Sequence, residues 1–160
     1  MAQPRDSQRK KLYTAEWDVF NPDRTALTPD FTTLREAQQF VNRTVASPFW
    51  KKTCSRRQVT VKNEGRVWAR GYRYFITAPA ITWLRWILLH ELAHVWIQNV
   101  HSKELPGHGP DFVMVYRRLL EIEYGQETLK QFDASCERQG VRWTNASQRT
   151  IGALAPAASL

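Results

Sequence analysis

The stretch Thr82–His101, TWLRWILLHELAHVWIQNVH, decides the fold because it predicts one long apolar helix. Thr82 is a suitable N-cap, and Pro106-Gly107 breaks the chain after the helix. The apolar run is about long enough to span a bilayer. Its interior also contains charged and titratable side chains, at Arg85, His90, Glu91 and His94. Because such groups are costly in lipid, we expect a buried helix and no membrane contact.

His90 and His94 are four residues apart, so a helix places both imidazoles on one face, about 6 Å apart along its axis. Both can then bind one ion, and histidine-rich sites favour Zn²⁺. Glu91 would take the proton of a water that the metal activates and pass it to the leaving group. The alternative is a pair of core histidines that bond to backbone or carboxylate groups. The apolar surroundings make that alternative expensive unless something satisfies the polar atoms.

A catalytic zinc site needs a third protein ligand and an open position for water. We favour His108, since the break at Pro106-Gly107 lets the chain fold back and present it at the start of the next helix. His101 would lie about 10 Å further along the first helix, too far for the same ion. Glu121 or Glu123 would instead complete a site of two histidines and one carboxylate.

Two other residues of the next helix are candidates for the site. Asp111 could accept an imidazole N–H, or could simply be an acid at the positive end of a helix. Tyr116 could polarise a substrate carbonyl, although a tyrosine at helical spacing is more often a core residue.

The rest of the chain predicts helices on both sides of a small sheet. Expected helices are Asp6–Phe20, one capped by Thr32 or Thr33 that ends at Ser47-Pro48, one from Pro110 to Gly125, and one from Gln126 to Gln139. Expected strands are 58–62, 66–69 and 72–77, with a turn at 63–65 and a break at Gly71. This order predicts an α+β domain with a small antiparallel sheet packed against helices, followed by a loose tail over 145–160.

The net charge of +8 is concentrated in residues 1–75, before the predicted helix that carries His90 and His94. Residues 1–75 hold 15 Lys/Arg and 7 Asp/Glu, whereas residues 76–160 hold 8 of each. Basic residues interleaved with Trp50, Trp68, Tyr72 and Tyr74 could contact phosphates and stack on bases. The alternative is a solvated strand face. The candidate DNA contacts are Lys51, Lys52, Arg56, Arg57, Lys62, Arg66, Arg70 and Arg73.

The histidine motifs resemble those of a known class of enzymes. The segment His90-Glu91-Leu92-Ala93-His94, followed by His108-Gly109-Pro110-Asp111-Phe112, is similar to the zinc core of SprT-like metalloproteases. In that family, H-E-x-x-H precedes a later His-Gly-x-x-aromatic whose histidine is the third ligand. The resemblance implies a zincin-like active-site helix and a zinc ligand at His108.

A second resemblance covers most of the chain, to a family of small proteins from actinobacteria and their phages that are assigned as metallohydrolases by their motif. It rests on the start of the chain, the zinc helix, the His108 segment and the end of the last helix. The segments at the two ends are Arg5–Arg9, Leu12–Glu16 and Gly140-Val141. This resemblance implies one metallohydrolase domain over 1–144.

Two functional hypotheses follow. The first is a zinc metallopeptidase or related hydrolase that acts on a peptide or protein, with Glu91 as general base. The second is a nucleic-acid-associated protein whose metal site is structural or vestigial. Since Met1–Leu12 is polar and basic and contains no apolar segment, we expect a cytoplasmic location.

Overall fold

The computed structural model describes residues 6–65, 67–101 and 107–143. Within these residues there are six α-helices and a sheet of three short strands, which confirms the α+β class. The helices are α1 (Arg9–Phe20), α2 (Leu34–Val45), α3 (Pro48–Thr53), α4 (Arg85–Val100), α5 (Pro110–Tyr124) and α6 (Gln126–Gln139). The strands are β1 (Thr60–Lys62), β2 (Arg70–Gly71) and β3 (Phe75–Thr77).

Helix α4 is the centre of the domain. Its apolar residues cover nearly its whole circumference, so it is buried between α5 on one side and strands β2 and β3 on the other. Helix α6 packs on both α5 and α1, which brings α1 to the same side of α4 as α5. No helix among the described residues is long and apolar enough to cross a membrane.

The start of α4 differs from the prediction. Thr82 is not its N-cap, because Ala80–Thr82 forms a 3-10 turn in which the Thr82 hydroxyl donates to the Pro79 carbonyl. The helix begins at Arg85, whose backbone N–H donates to the carboxylate of Asp30 at 2.8 Å. A carboxylate from a distant loop therefore supplies the cap that sequence reasoning assigned to a neighbouring threonine.

The sheet is mixed, so the prediction of an antiparallel sheet was wrong in part. The strand order is β1-β3-β2, with β3 antiparallel to β2 and parallel to β1. The hairpin between β2 and β3 closes at Tyr72, whose N–H donates to the Phe75 carbonyl. This hairpin places β3 beside β1 in the same direction. The predicted return strand at 66–69 is not observed at its described residues 67–69, since the chain pairs only from Arg70 onwards.

Both edges of the sheet are covered by side chains from helices. Gln38 of α2 accepts from the Val61 N–H and donates to the Val59 carbonyl along β1. Along β2, the Gly71 N–H and carbonyl bond to side chains of α4. These short strands are therefore held by side chains of the helices as well as by strand pairing. Little of either sheet edge is left to pair with another chain.

The other helices mostly follow the prediction. Thr33 caps α2 in a reciprocal capping box with Glu36, and α5 begins at Pro110 with Asp111 in its first turn. Helix α1 begins at Arg9 and not at Asp6. Ser47-Pro48 ends α2 but also starts the unpredicted helix α3, because the Ser47 hydroxyl accepts from the Trp50 N–H. The predicted tail at 145–160 lies outside the described residues.

Candidate metal centre

Three histidines from two segments of the chain meet beside α4. His90 and His94 lie one turn apart on α4, and His108 lies two residues before α5. One ring nitrogen from each lies within 4.8 Å of the others, and the Nε2 atoms of His90 and His108 are 3.1 Å apart. His90 and His108 are buried and His94 is partly buried. The structure therefore brings together the three histidines that were predicted from the sequence as metal ligands.

Carboxylates hold two of the three rings from behind. The Nδ1 atom of His90 lies 2.5 Å from Oε1 of Glu16, and the Nδ1 atom of His108 lies 2.6 Å from Oδ2 of Asp6. A carboxylate partner places the ring proton on Nδ1 and leaves Nε2 as the free donor to a metal. Glu16 is only 2% exposed, so this support is internal to the fold.

With a proton on each Nδ1, the arrangement of the Nε2 atoms suits a cation. If both rings carry their proton on Nδ1, the Nε2 lone pairs of His90 and His108 face each other at 3.1 Å. Two nitrogens bound to one tetrahedral zinc at about 2.0–2.1 Å would lie about 3.3 Å apart, close to the observed separation. Without a cation, that contact needs an extra proton on one ring. The donor set and its spacing therefore suit a divalent ion such as zinc.

The pKa values of the rings follow their surroundings. Burial lowers the pKa of His94 well below its usual value, and the nearby charges of His90 and His108 lower it further. Burial also lowers the pKa of His108, and Asp6 offsets this only in part. For His90, burial lowers the pKa, but the Glu16, Glu91 and Asp6 carboxylates together outweigh burial and the net shift is upward. His94 and His108 are thus neutral near pH 7, the form that binds metals.

Gln8 fixes the segment that carries Asp6. Its side-chain amide donates to the carbonyls of His108 and Arg142, at 2.9 and 3.0 Å, and accepts from the Arg142 N–H. The start of α1, the His108 segment and the chain after α6 are therefore tied together. This network positions Asp6 behind His108 although Asp6 lies outside any helix.

Glu91 lies next to His90 and is held from the sheet side. Its Oε2 accepts from the backbone N–H of Gly71 at 2.5 Å, and the residue is 7% exposed. Burial raises the pKa of the carboxyl, while His90 and the Gly71 N–H oppose that rise. A raised pKa brings a carboxylate closer to the range in which a general base works best.

Gly71 is required at this position by close packing. A Cβ there would overlap the backbone oxygen of Glu91 and would lie 3.0 Å from Cβ of His94. The predicted break at Gly71 is wrong, because Gly71 belongs to β2. Only a glycine at this position lets the strand approach α4 so closely. A glycine inside a strand commonly marks such an approach of two backbones.

Replacing Gly71 by alanine is expected to destabilise the domain by about 1–3 kcal/mol or more, since neither backbone can yield easily. Urea unfolding followed by circular dichroism measures this change. Gly107→Ala is the control, because among the described residues its Cβ would meet the end of the Asp6 side chain at 3.3 Å, a contact that a side chain can relieve and a backbone cannot. Equal stability of the Gly71→Ala variant and the wild type would contradict the packing argument.

Tyr13 of α1 lies over the cluster on its exposed side. Its ring centroid is 5.5 Å from that of His90 and 5.2 Å from that of His108, and the residue is 41% exposed. Partial burial raises the pKa of Tyr13 to about 12, and the Glu16 and Glu91 carboxylates contribute. The phenol therefore stays protonated at neutral pH and can act as a hydrogen-bond donor beside the histidines.

Tyr116 also packs on His90, with ring centroids 5.5 Å apart, but inside the core. It is fully buried, and its hydroxyl donates to the Trp86 carbonyl at 3.3 Å and is close to Glu16. Burial and the Glu16 charge raise the pKa of this phenol well above its usual value. The predicted role of Tyr116 in polarising a substrate would need an access that these contacts do not provide.

The remaining ligand candidates lie elsewhere. His101 ends α4 and its ring packs near Trp96. Glu123 pairs with Arg43 and Arg85, and Glu121 pairs with Arg118. Asp111 is in the first turn of α5, and its role as an acceptor for an imidazole stays a prediction.

The predicted nucleic-acid residues divide into two groups. Lys51 and Arg57 line a separate cleft of about 410 Å³ beside α2, and Lys52 is exposed on α3. Trp50, predicted among the aromatics of this region, is fully buried. Arg66 lies outside the described residues. The others lie on or near the sheet: Arg56, Lys62, Arg70 and Arg73.

Sequence reasoning missed Asp6, Tyr13 and Glu16. For Glu16 a signal was present, because it lies four residues from both Leu12 and Phe20 on the inward face of α1. A carboxylate on such a face needs a buried partner. For Asp6 and Tyr13 no local pattern indicates a distant histidine.

No protein-family model matches the chain, and no curated protein or solved structure is significantly similar to it. The function must therefore be argued from the geometry of the histidine cluster and its neighbours.

Proposed function

We propose that this protein is a zinc-dependent hydrolase, most specifically a metallopeptidase. The observation that carries the proposal is the cluster of His90, His94 and His108, with carboxylates behind two of its rings and Glu91 beside it. Three histidine ligands with a carboxylate near an open position are the pattern of catalytic zinc sites. Structural zinc sites usually have four protein ligands, and the described residues offer three.

Zinc held by these histidines would lower the pKa of a bound water and polarise a substrate carbonyl. The residues of this chain then perform the proton transfers. Glu91 accepts the proton of the attacking water and delivers it to the leaving group. The Gly71 N–H keeps the Glu91 carboxylate in place. Glu16 and Asp6 orient two imidazoles and increase their basicity.

Tyr13 is the group that would act on the substrate oxygen. Its ring lies against His90 and His108 and is partly exposed, so its hydroxyl can reach a molecule that approaches the cluster. A protonated phenol beside a developing oxyanion stabilises it by a hydrogen bond. This assignment replaces Tyr116, whose hydroxyl is turned to the Trp86 carbonyl.

The choice of a peptide bond rests on the resemblance to SprT-like metalloproteases, which includes the His-Gly-x-x-aromatic segment at His108. The same resemblance supports a zincin-like role for α4, whose buried inner position suits a rigid ligand platform. A site on a rigid helix holds its ligands more precisely than one on loops.

Metal binding and hydrolysis together test the proposal. We expect one zinc per chain by mass spectrometry of protein purified without added metal. We also expect cleavage of a quenched-fluorescence peptide library that a chelator stops and zinc restores. Zinc at 100 times its Kd should stabilise the fold by about 2.7 kcal/mol and raise Tm by roughly 5–11 °C. Absence of metal after reconstitution would refute the zinc site, whereas bound zinc without cleavage would refute the peptidase.

Tyr13→Phe is expected to lower kcat by about 10²-fold, the low end for loss of one oxyanion donor, since the ring is partly exposed. KM and zinc content should stay near the wild-type values because the ring packing is kept. Steady-state kinetics on the best cleaved peptide measures the split. Tyr74→Phe, which removes a hydroxyl from an exposed ring of the sheet hairpin, is the control. A loss of zinc in Tyr13→Phe would indicate a structural role instead.

A further inference from the structure

The sheet has one face against the helices and one face turned outward. Val61, Gly71 and Ile76 point inward, toward the core or α4. Alternation along each strand turns the neighbouring side chains outward. The strand register places these outward residues side by side: Thr60, Lys62, Arg70, Phe75 and Thr77.

Cations and aromatic rings are paired on this outward face, and a second such group lies at the adjoining hairpin. The Lys62 ammonium lies 4.2 Å from the centroid of the Phe75 ring, and Tyr72 stacks on the same ring at 4.7 Å. At the hairpin, the Tyr74 ring has the Arg56 guanidinium at 4.3 Å and that of Arg73 at 5.9 Å. We call the outward-face group and the hairpin group together the outer sheet surface: Arg56, Lys62, Arg70, Tyr72, Arg73, Tyr74 and Phe75.

The aromatic part of the outer sheet surface is accessible. Tyr74 is 51% exposed and Tyr72 is 39% exposed, and nearby Trp68 in the connection to β2 is 58% exposed. A group of exposed rings close together commonly marks an interaction site, whereas single exposed rings are ordinary. Between residues 51 and 73 Glu64 is the sole acidic residue, so the potential there is positive.

We propose that the outer sheet surface binds single-stranded nucleic acid. Its four cations can neutralise successive phosphates, and its exposed rings can stack on bases. The rings favour a single strand over a duplex, because bases within a duplex are already stacked on each other. They also favour nucleic acid over an acidic protein, which would need the cations but not the ring faces.

This surface is separate from the histidine cluster. Within β2, Arg70 faces outward while Gly71 faces α4 and bonds Glu91. Binding of nucleic acid therefore does not depend on the metal or on the proposed hydrolase, and the two can fail independently. If both hold, nucleic acid and the proposed catalytic Glu91 would lie on opposite sides of one short strand.

Fluorescence anisotropy of the full chain with a labelled oligothymidylate of about 20 nucleotides tests the proposal. Four phosphate contacts on a single strand predict a slope of about −2.8 in log K against log salt, so affinity should fall about 50-fold between roughly 50 and 200 mM salt. Lys62→Gln with Arg70→Gln should make the slope shallower by about 1.4. Tyr74→Ala should weaken binding by about 5- to 150-fold through lost stacking.

The matched control is Lys130→Gln with Arg138→Gln, which removes the same charge from exposed positions on α6. It should leave affinity nearly unchanged, and the circular dichroism of all variants should match that of the wild type. Absence of binding at low salt would overturn the proposal, as would an equal loss in the control pair. Competition by polyglutamate as effective as that of oligothymidylate would instead assign the surface to an acidic protein.

Discussion

Replacing Glu91 by glutamine is expected to lower kcat by about 10²- to 10⁴-fold while the protein keeps its zinc. Glutamine preserves the volume of the side chain and an oxygen that can accept the Gly71 N–H, so the contact to β2 is retained. It cannot accept the proton of the attacking water. The substitution also replaces a buried carboxylate by a neutral amide, which removes a desolvation cost and should not weaken the fold.

The measurement combines kinetics on the best cleaved peptide with zinc content on the same preparation. Glu64→Gln is the matched control, since that carboxylate is exposed on the turn after β1 and should not affect turnover. Activity of the Glu91→Gln variant within about twofold of the wild type would remove Glu91 as the general base. Loss of zinc together with activity would assign Glu91 to holding the site and not to proton transfer.

The histidine cluster was predictable because it depends on local rules. Any helix through residues 90–94 places His90 and His94 on one face. The long apolar pattern of that segment predicts a helix. His108 needed one further inference, that the chain turns back before Pro110. The break at Pro106-Gly107 in the sequence supplied that signal.

The groups around the triad could not be predicted in the same way. Asp6 and Glu16 reach histidines 102 and 74 residues further along the chain, and only the packing of α1 on α6 brings them there. Periodicity indicates that a helix has a buried face, but not which helix that face meets. The Gln8 bonds to His108 and Arg142 are equally remote in sequence.

The sheet shows how tertiary contacts override local patterns. The sequence 58–62 alternates well, yet pairing begins only at Thr60, where β3 is available. The predicted hairpin would instead pair the strand at 58–62 with the strand at 66–69, and Val61 would then lie beside that second strand. The observed order instead sets Val61 beside Ile76, so that both are buried in the core. Burial of this pair favours the parallel register over the local hairpin.

His108→Ala is expected to weaken zinc binding by more than about 100-fold, since loss of an outer partner alone costs about 10- to 100-fold and a direct ligand contributes more. The remaining pair, His90 and His94, would hold the ion at two points only. The zinc-induced rise in Tm should then disappear at concentrations that saturate the wild type. Competition against a fluorescent chelator and a thermal melt with and without zinc measure both effects.

His101→Ala is the control, because it removes an imidazole from the end of α4 without touching the cluster. Asp6→Asn separates ligand loss from loss of its support: it keeps the shape behind His108 but removes the charge, so zinc affinity should fall by about 10- to 100-fold. This order of effects, with His108→Ala largest, Asp6→Asn intermediate and His101→Ala absent, follows from a metal bound by His108 and oriented by Asp6. A core histidine pair without a metal would give no zinc dependence in any variant, and equal affinity of His108→Ala and the wild type would exclude His108 as a ligand.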